Sequence, residues 1–367
     1  MNILIAIHKY FPFGGLQCDM LRFAQHAADC NHQVTIATTQ WDAPTPPQNI
    51  NVTIIPKRGF ANHAKLKNFA GDVQKLIPNF DKTITFVRIP GFDWYFAGDD
   101  CYATQFPLKH SKFILKFHPR YKTFINLEEQ IFNPDSKTSI FIVAQHQQKD
   151  FISAYNTQPQ RFHLLPPGMN PNCIRPDENL AQERRNSARR QLDIPQDAIV
   201  AITVGANLKL KGADRVIQAI NTLNQERATS KLHLLLVGKL PADLQQLAAQ
   251  SHEIHALGLR QDIPDLLLAA DIMLHPARQE AAGSVLIEAI ASGIPVICSD
   301  VCGFKDHVLS TSNLVTSEPF SQEQFVQLTR TALDNLPQFT QTTRNYATKN
   351  DFNARSDQML KLMADGQ

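Results

Sequence analysis

Two glutamates, Glu280 and Glu288, are separated by seven residues in the apolar stretch RQEAAGSVLIEAIASGIPV (278–296). Glutamate is rarely buried without a partner, so two of them in a segment that predicts a packed helix indicate chemistry. Gly283 lies between the carboxylates and marks the expected start of the helix, just after the strand-like run DIMLH (271–275). Glu280 is therefore expected in the loop before the helix, outside the core, and Glu288 one turn inside the helix.

The start of this helix is a candidate phosphate site. The first amides of a helix have no partner within it. Those of residues 282–285 could hold a diphosphate, and Gly283 would let the ligand approach the backbone. One carboxylate could then bind sugar hydroxyls and the other a ribose diol. The alternative is that Glu280 is an exposed loop residue and Glu288 an ion-pair partner, but the spacing around a glycine favours a nucleotide-sugar site.

Two further loops carry residue types that bind phosphate. Gly14 and Gly15 follow the first strand, where the backbone can approach an anion, although a tight turn would explain them equally well. Lys209 and Lys211 follow a later apolar strand, and two lysines at a strand end suit a pyrophosphate. Taken singly, ordinary exposed lysines are the simpler explanation. The arginines of 178–195 are expected on a solvated helix face.

These loops need strands and helices that bring them to one edge of a sheet. The chain alternates short apolar runs, typical of buried parallel strands, with stretches of helical length. The strand-like runs are 2–7, 33–38, 51–55, 83–87, 139–144, 198–205, 232–238, 254–259, 271–275, 295–299 and 313–317. This order predicts an α/β protein of two Rossmann-like, doubly wound domains facing across a cleft, with ligands at the carboxyl ends of the strands.

The boundary between the domains is expected in LLPPGMNPN (164–172), where proline and glycine interrupt both periodicities. Residues 1–168 then form an N-terminal domain and residues 169–345 a C-terminal domain. A chain of 367 residues exceeds what one hydrophobic core usually holds, which agrees with two domains.

The composition excludes several classes of protein. Lys and Arg total 36 against 34 Asp and Glu, so the net charge of +2 gives no global attraction for nucleic acid. The six cysteines form no C-x-x-C pair, which indicates thiols in a reducing compartment. The N-terminal apolar run is too short for a signal peptide, and no stretch approaches the roughly 20 apolar residues that span a bilayer. We therefore expect a cytoplasmic protein.

The stretch HPARQEAAGSVLIEAIASGIPVICSDVCG resembles the nucleotide-sugar motif of retaining GT-B glycosyltransferases, and the domain order fits that fold over the whole chain. Four further stretches are similar to the family of lipopolysaccharide core glucosyltransferase I: HKYFPFGGLQCDM, PGFDWYFAGDDCYA, RFHLLPPG and EPFSQEQ. The resemblance implies that 1–168 is the acceptor side and that 169–345 binds the nucleotide sugar. It also implies that 346–367 forms a helix crossing back to the first domain.

The resemblance implies roles for individual residues of the donor site. Glu280 would contact the donor hexose and Glu288 the ribose. The backbone that would bind the diphosphate belongs to Ala281, Ala282, Gly283, Ser284 and Val285. Lys211 corresponds to the phosphate lysine of the family, and Gly15 and Asp19 would line the phosphate and sugar from the N-terminal domain.

Two positions depart from the family pattern. The residue before Lys211, basic in the family, is Leu210, which leaves Lys209 as the substitute. The arginine expected just after the PPG turn is Cys173, which leaves Arg175 as the nearest candidate. These departures affect how tightly the donor binds, or which donor binds, but they do not change the expected class of donor.

The expected chemistry uses no metal and no cofactor, with the UDP-sugar as co-substrate. The chain has no D-x-D, no H-E-x-x-H and no Cys/His cluster. Lys211, Lys209 and helix-start amides would then meet the charge of the leaving group. With no clear nucleophile, a retaining transfer indicates front-face attack through an oxocarbenium-like state. Asp99 is the candidate for accepting or orienting the acceptor's proton, Asp100 is the alternative, and helix capping explains either equally well.

Residues 102–124 combine basic and aromatic side chains without an acidic one. Lysines at helical spacing flank an aromatic stripe, as in segments that lie on anionic membranes. The residues predicted to bind the membrane are Lys109, Lys112, Phe113, Lys116, Phe117 and Arg120. Pro119 should separate a short first helix from a second element. The alternative is that the aromatic rings pack into the core and the lysines are solvated.

These features predict a retaining, metal-independent hexosyltransferase that moves a hexose, glucose by default, from a UDP-sugar to an inner-core heptose of lipopolysaccharide. The alternatives are a GT-B transferase for another UDP-hexose or N-acetylhexosamine and another acceptor, a nucleotide-sugar epimerase, and a non-catalytic nucleotide-sugar sensor. The expected partners are the UDP-sugar, a lipid-linked heptose acceptor and an anionic membrane surface, without nucleic acid. The protein should act as a monomer at the inner face of the inner membrane.

Overall fold

The computed structural model describes residues 1–12, 14–43, 45–106, 118–227 and 231–366. The chain forms two compact units. Unit 1 comprises Met1–Pro166 together with Ala354–Gln367, and unit 2 comprises Pro167–Asn353. The first division lies close to the predicted boundary, whereas the chain returns to unit 1 at Ala354, later than the sequence analysis placed it.

The described ranges contain strands and helices in regular alternation. The strands are β1 (Asn2–Ala6), β2 (Gln33–Thr38), β3 (Ile50–Ile54), β4 (Lys82–Thr85), β5 (Trp94–Ala97), β6 (Ser139–Ile142), β7 (Phe162–Leu164), β8 (Val200–Asn207), β9 (His233–Lys239), β10 (Ile254–Gly258), β11 (Ile272–His275), β12 (Val296–Ser299) and β13 (Val315–Thr316). The α-helices are α1 (Gly15–Asp29), α2 (Asn62–Gln74), α3 (Tyr102–Gln105), α4 (Pro119–Phe132), α5 (Gln145–Tyr155), α6 (Glu178–Gln191), α7 (Ala213–Gln225), α8 (Ala242–Ala248), α9 (Ile263–Ala269), α10 (Ser284–Ala291), α11 (Lys305–Thr311), α12 (Gln322–Asp334), α13 (Leu336–Ala347) and α14 (Arg355–Asp365).

Each unit is built around one parallel sheet. The strand order is β3-β2-β1-β4-β5-β6-β7 in unit 1 and β10-β9-β8-β11-β12-β13 in unit 2. Central strands such as β1 and β11 are apolar and buried because helices cover both faces of such sheets. The order reverses beside the first strand of each sheet, at β1/β4 and at β8/β11, and an open α/β sheet forms its ligand crevice at this point. The predicted fold class is confirmed.

Every predicted strand-like run overlaps a strand, but two strands were not predicted. β5 consists of the residues WYFA, whose aromatic side chains gave no alternating pattern. It is buried, and its Trp94 stacks on Phe141 of β6 with ring centroids 4.4 Å apart. β7 has only three residues, too few for a periodicity to be visible.

The prediction that the arginines of 178–195 lie on a solvated face is wrong for one side of α6. Arg189 is fully buried, and its guanidinium donates to the Asp271 carboxylate at 2.8 Å. Arg185, four residues earlier, donates to the other oxygen of Asp271 at 2.6 Å. One carboxylate therefore binds two arginines of the same helix face and ties α6 to the residue before β11, at the amino end of that strand.

Candidate active site

The candidate site of unit 2 lies where β8 and β11 run side by side. Residues 208–212 lead from β8 to α7, and residues 276–283 lead from β11 to α10. Because the carboxyl ends of neighbouring parallel strands meet at the same edge of a sheet, these two loops converge. They bring Lys211 and Glu280, which the sequence analysis assigned to one site, into direct contact.

The Glu280 carboxylate meets two side chains through one oxygen. Its Oε2 accepts a hydrogen bond from Nζ of Lys211 at 2.6 Å and lies 3.1 Å from Nε2 of His275. Burial opposes the ionisation of Glu280, but the hydrogen bond from His275 and the charge of Lys211 outweigh it and lower the pKa of Glu280 to about 2. The residue lies in a loop, as predicted, yet its side chain turns inward onto a buried histidine instead of standing outside the core.

The two loops also bind each other directly. Gly212 has a φ of 77°, and a Cβ at this position would lie 2.1 Å from the carbonyl oxygen of Pro276. Arg278 donates two hydrogen bonds, at 2.7 and 2.6 Å, to the carboxylate of Asp214 at the start of α7. These contacts hold the Lys211 loop against the loop that follows β11.

Helix α10 begins without a capping side chain. Its N-cap residue, Gly283, has φ 94° and ψ 48°, a left-handed conformation that suits glycine, and it offers no side-chain acceptor. The amides of Ser284 and Val285 at the first turn are groups that can bind an anion. Ahead of them, the carbonyl of Ala282, which follows Ala281, accepts a hydrogen bond from the Phe304 amide at 2.8 Å. The predicted diphosphate contacts of this backbone stay a prediction.

Glu288 lies on α10, the helix that begins beside the Glu280 loop. Its Oε1 accepts a hydrogen bond from the backbone amide of Asn170 at 3.1 Å. The resemblance assigns this carboxylate to the ribose of the donor. That role stays a prediction.

Lys209 does not join the Glu280 cluster. Its side chain is 57% exposed, and its Nζ donates to the carboxylate of Asp243 at 2.8 Å. The idea that Lys209 replaces the basic residue of the family at position 210 therefore has no support from its contacts.

Arg175 is also remote from this cluster. Its guanidinium binds Glu178 at 3.0 Å and the carbonyl of Ser292 at 3.4 Å, just beyond the C-terminal end of α10. Glu280 precedes the N-terminal end of the same helix, and a helix of eight residues is about 12 Å long. The structure therefore does not bring Arg175 together with Lys211, because the two lie at opposite ends of α10.

In unit 1, Gly14 and Gly15 lie at the start of α1, at the end of the loop that follows β1. Among the residues that the structure describes, no side chain caps this helix at Gly14, and a Cβ at Gly15 would meet no atom within 4 Å. Asp19, by contrast, is largely buried between two arginines: Arg22 at 2.6 Å and Arg355 of α14 at 3.1 Å. The backbone at Gly15 is open to a ligand, whereas the carboxylate of Asp19 is engaged within the unit, and its contact with the donor stays a prediction.

The two aspartates after β5 have different surroundings. Asp99 is 71% exposed, and its Oδ2 lies 3.6 Å from the guanidinium of Arg88. Asp100 is only 10% exposed, and its Oδ1 lies 3.1 Å from Nε2 of His146. Asp99 is therefore the accessible carboxylate of the pair, and Asp100 is held by an imidazole.

Glu128 of α4 is a buried carboxylate that was not predicted as a site residue, and it binds the first amides of α3. It accepts hydrogen bonds from the amides of Tyr102 and Ala103 at 3.0 and 3.1 Å, and from the hydroxyl of Tyr155 at 2.7 Å. Nε of Arg88 donates to it at 2.8 Å. Helix capping therefore does not explain the two aspartates, because Glu128 accepts from the amides that they would have capped.

Most of the predicted membrane segment cannot be compared with the structure. Lys109, Lys112, Phe113, Lys116 and Phe117 lie outside the described residues. Arg120 is exposed on the first turn of α4, which starts at Pro119, and its guanidinium lies 5.4 Å from the ring of Phe124. Tyr121 and Phe124 contact the ring of Tyr102, so at this end of the stretch the aromatic residues pack inward. Among the described helices, none is both long enough and apolar enough to cross a bilayer.

His275 was not predicted from the sequence as a site residue. It is the last residue of the run DIMLH and stands five residues before Glu280. A polar residue that ends an apolar strand at its carboxyl edge is the signal that could have found it, because ligands of such sheets bind at that edge.

Comparison with known proteins places the chain among glycosyltransferases. Residues 184–350 match the family of glycosyl transferases group 1. The chain is 32% identical to lipopolysaccharide glucosyltransferase WaaG of Escherichia coli (strain K12), over 100% of this chain and 99% of the relative. It also matches a crystal structure of WaaG, described as a glycosyltransferase involved in lipopolysaccharide biosynthesis, with a TM-score of 0.91 and 31% identity over 99% of this chain and 100% of that one.

A more distant structure shares the fold. Anabaena Alr3699/HepE, solved in complex with UDP and glucose, has a TM-score of 0.75 and 18% identity over 99% of each chain. The resemblance inferred from the nucleotide-sugar motif is therefore confirmed. This chain belongs to the group 1 glycosyltransferases and is a hexosyltransferase with the GT-B fold.

Proposed function

We propose that this protein transfers glucose from UDP-glucose to an inner-core heptose of lipopolysaccharide, with retention of the anomeric configuration. Similarity to WaaG along the full chain supports the proposal. The observation that carries it is the Lys211–Glu280 pair at the carboxyl ends of β8 and β11, beside the uncapped start of α10. This arrangement supplies a cation and amides for a diphosphate and a carboxylate for sugar hydroxyls.

On the donor side, the diphosphate binds at the start of α10, and Lys211 turns from Glu280 to the phosphate oxygens. The lysine is only 19% exposed, so its charge acts in a partly desolvated site and stabilises the charge that develops on the departing diphosphate. Glu280, released from the lysine, accepts hydrogen bonds from the hexose hydroxyls. Glu288 accepts from the ribose diol.

On the acceptor side, the heptose hydroxyl attacks the anomeric carbon from the face that the diphosphate leaves. The bond from the anomeric carbon to the diphosphate breaks as the glycosidic bond forms, through an oxocarbenium-like state. Asp99 accepts or orients the proton of the attacking hydroxyl. Its exposure leaves it within reach of a substrate, and Arg88 at 3.6 Å orients it.

A lipid-linked acceptor places this reaction at a membrane surface. We infer peripheral attachment at the cytoplasmic face of the inner membrane through the basic and aromatic segment around Arg120. Each basic residue near an anionic bilayer contributes about 1 kcal/mol. The exposed guanidinium of Arg120 is the part of this segment whose surroundings support the idea.

A donor panel tests the proposed function. The purified protein is incubated separately with UDP-glucose, UDP-galactose and each of the two UDP-N-acetylhexosamines, with and without a heptose-bearing lipid. The mass of the lipid product is then measured by mass spectrometry. We expect UDP-glucose to be consumed only with the lipid, which gains one hexose. If the donor were epimerised in the absence of an acceptor, the protein would be an epimerase. If the lipid gained one N-acetylhexosamine, the protein would be a transferase for another donor. If the donor bound without turnover, the protein would be a sensor.

Glu288→Ala is expected to weaken the binding of UDP itself about tenfold or more, because a hydrogen bond to a charged group is lost. Titration calorimetry with UDP alone measures the change. Glu178→Ala is the matched control, since Glu178 binds Arg175 beyond the C-terminal end of α10, away from the first turn of the helix, and should leave UDP affinity unchanged. Equal affinity in wild type and Glu288→Ala would assign Glu288 a purely structural role.

Transfer is expected to proceed without a divalent cation. Lys211 and the first amides of α10 supply the positive charge and hydrogen bonds that the diphosphate needs as it leaves. The rate is measured before and after treatment with EDTA, and we expect the two values to agree. Activity that disappears with the chelator and returns with Mg²⁺ or Mn²⁺ would contradict this prediction.

A further inference from the structure

His275, the last residue of β11, is a polar side chain in an apolar strand. It is fully buried, and its Nε2 lies 3.1 Å from Oε2 of Glu280. The other ring nitrogen, Nδ1, is also buried and has no hydrogen-bond partner within the described ranges. Burying a polar ring that is only half satisfied is costly, so its place beside Glu280 needs a reason.

The surroundings of the ring indicate which nitrogen carries the proton. Glu280 is ionised, and an ionised carboxylate only accepts hydrogen bonds. Nε2 must therefore be the donor. Nδ1 meets no partner within the described ranges, so Nε2 is the nitrogen through which the ring binds its neighbour.

Lys211 and His275 share the same oxygen of Glu280, but they differ in freedom. The lysine is 19% exposed and lies on a flexible stem, whereas His275 is 0% exposed and held within the strand. When Lys211 turns to the diphosphate, the histidine keeps its hydrogen bond to Oε2. We propose that His275 is the positioning residue of the donor site, which anchors one oxygen of the Glu280 carboxylate and so directs the other oxygen to the hexose hydroxyls after Lys211 has left.

This inference rests on the proposed function for the movement of Lys211 and for the hexose contact. Besides Lys211 and Glu280, the titratable group on the neighbouring segment is Cys302, which pairs with Glu280 in an isolated β-bridge. A hydrogen bond from Cys298 of β12 lowers the pKa of the Cys302 thiol, although burial opposes this.

Two substitutions of His275 distinguish a role in positioning Glu280 from a role in packing alone. In His275→Gln, the side-chain amide can place a donor near the position of Nε2, whereas His275→Leu fills similar space without a donor. We expect His275→Leu to lower kcat about tenfold to a hundredfold, as for a lost hydrogen bond to a charged group, with UDP affinity unchanged. His275→Gln should recover most of the loss. Urea unfolding of both variants verifies that each is folded.

The pH dependence provides an independent readout. Because the histidine lowers the pKa of Glu280, its removal raises that pKa, and the ionised form is lost at a higher pH. In the UDP complex of the full chain labelled with carboxyl-¹³C glutamate, the Glu280 resonance, identified by its absence in Glu280→Gln, should titrate at least about one pH unit higher in His275→Leu than in wild type. This shift needs no turnover, so it stands even if no UDP-hexose is transferred.

Three results would overturn the inference. They are an unchanged Glu280 titration in folded His275→Leu, equal losses of kcat in the Leu and Gln variants, and a loss that is confined to UDP affinity. The first would show that Glu280 does not depend on the histidine for its charge. The other two would assign His275 to packing or to nucleotide binding.

Discussion

Glu280→Gln is expected to lower kcat/KM for hexose transfer about a hundredfold or more, while the protein stays folded. Glutamine has the size of glutamate, and its oxygen can still accept from Lys211 and His275. It lacks the negative charge that stabilises an oxocarbenium-like sugar. The loss therefore reports the charge at this position rather than the packing of the loop.

Steady-state kinetics and urea unfolding of the Gln variant provide the measurement. Glu280→Ala serves as a contrast, because it leaves the largely buried Lys211 and His275 without their acceptor and should also cost up to about 3 kcal/mol of the free energy of unfolding. If Glu280→Gln unfolded normally and kept wild-type kcat/KM, Glu280 would not belong to the donor site.

Lys211→Met is expected to lower kcat about a hundredfold, since the lysine stabilises the negative charge of the departing diphosphate. Methionine preserves the apolar stem of the side chain, so the comparison isolates the charge. Lys209→Met is the matched control two residues away in the same loop. Lys209 is 57% exposed and pairs with Asp243, so its loss should change kcat little.

The two lysine variants are compared in the same transfer assay and by titration with UDP. Equal losses in both would mean that the general charge of the loop matters rather than the contact between Lys211 and Glu280. A Lys211→Met variant with normal kcat would contradict the assigned role of the lysine.

The contact between Lys211 and Glu280 was predictable from the sequence because it depends on local order along the chain. An apolar strand followed by a loop and a glycine-started helix brings its loop to the carboxyl edge of a sheet, wherever the rest of the chain lies. Glu280 and Lys211 follow two such strands, and the structure has them in contact. The same argument predicted the parallel strands and the helix that begins after Gly283.

The partners of single side chains were not predictable, because they depend on contacts between distant parts of the chain. Asp19 has the sequence context of a ligand-binding residue, yet it binds Arg355, which is 336 residues away. Arg175 was predicted to act with Lys211, but it contacts Ser292 beyond the C-terminal end of α10, away from that lysine. Arg189 was expected in solvent and instead anchors α6 through Asp271. The periodicity of apolar residues along the sequence carries no information about such pairings.

The division of the chain has a consequence for how such enzymes diversify. Unit 2, which we propose binds the donor, is one uninterrupted segment, Pro167–Asn353, whereas unit 1 is assembled from two separate pieces of chain. The second piece, α14, is tied to α1 by the Arg355–Asp19 ion pair. A recombination event, or a chimera made in the laboratory, can therefore exchange the whole donor unit as one cassette between two junctions. Joining only the N-terminal half of one relative to the C-terminal half of another would separate unit 1 from its own last helix.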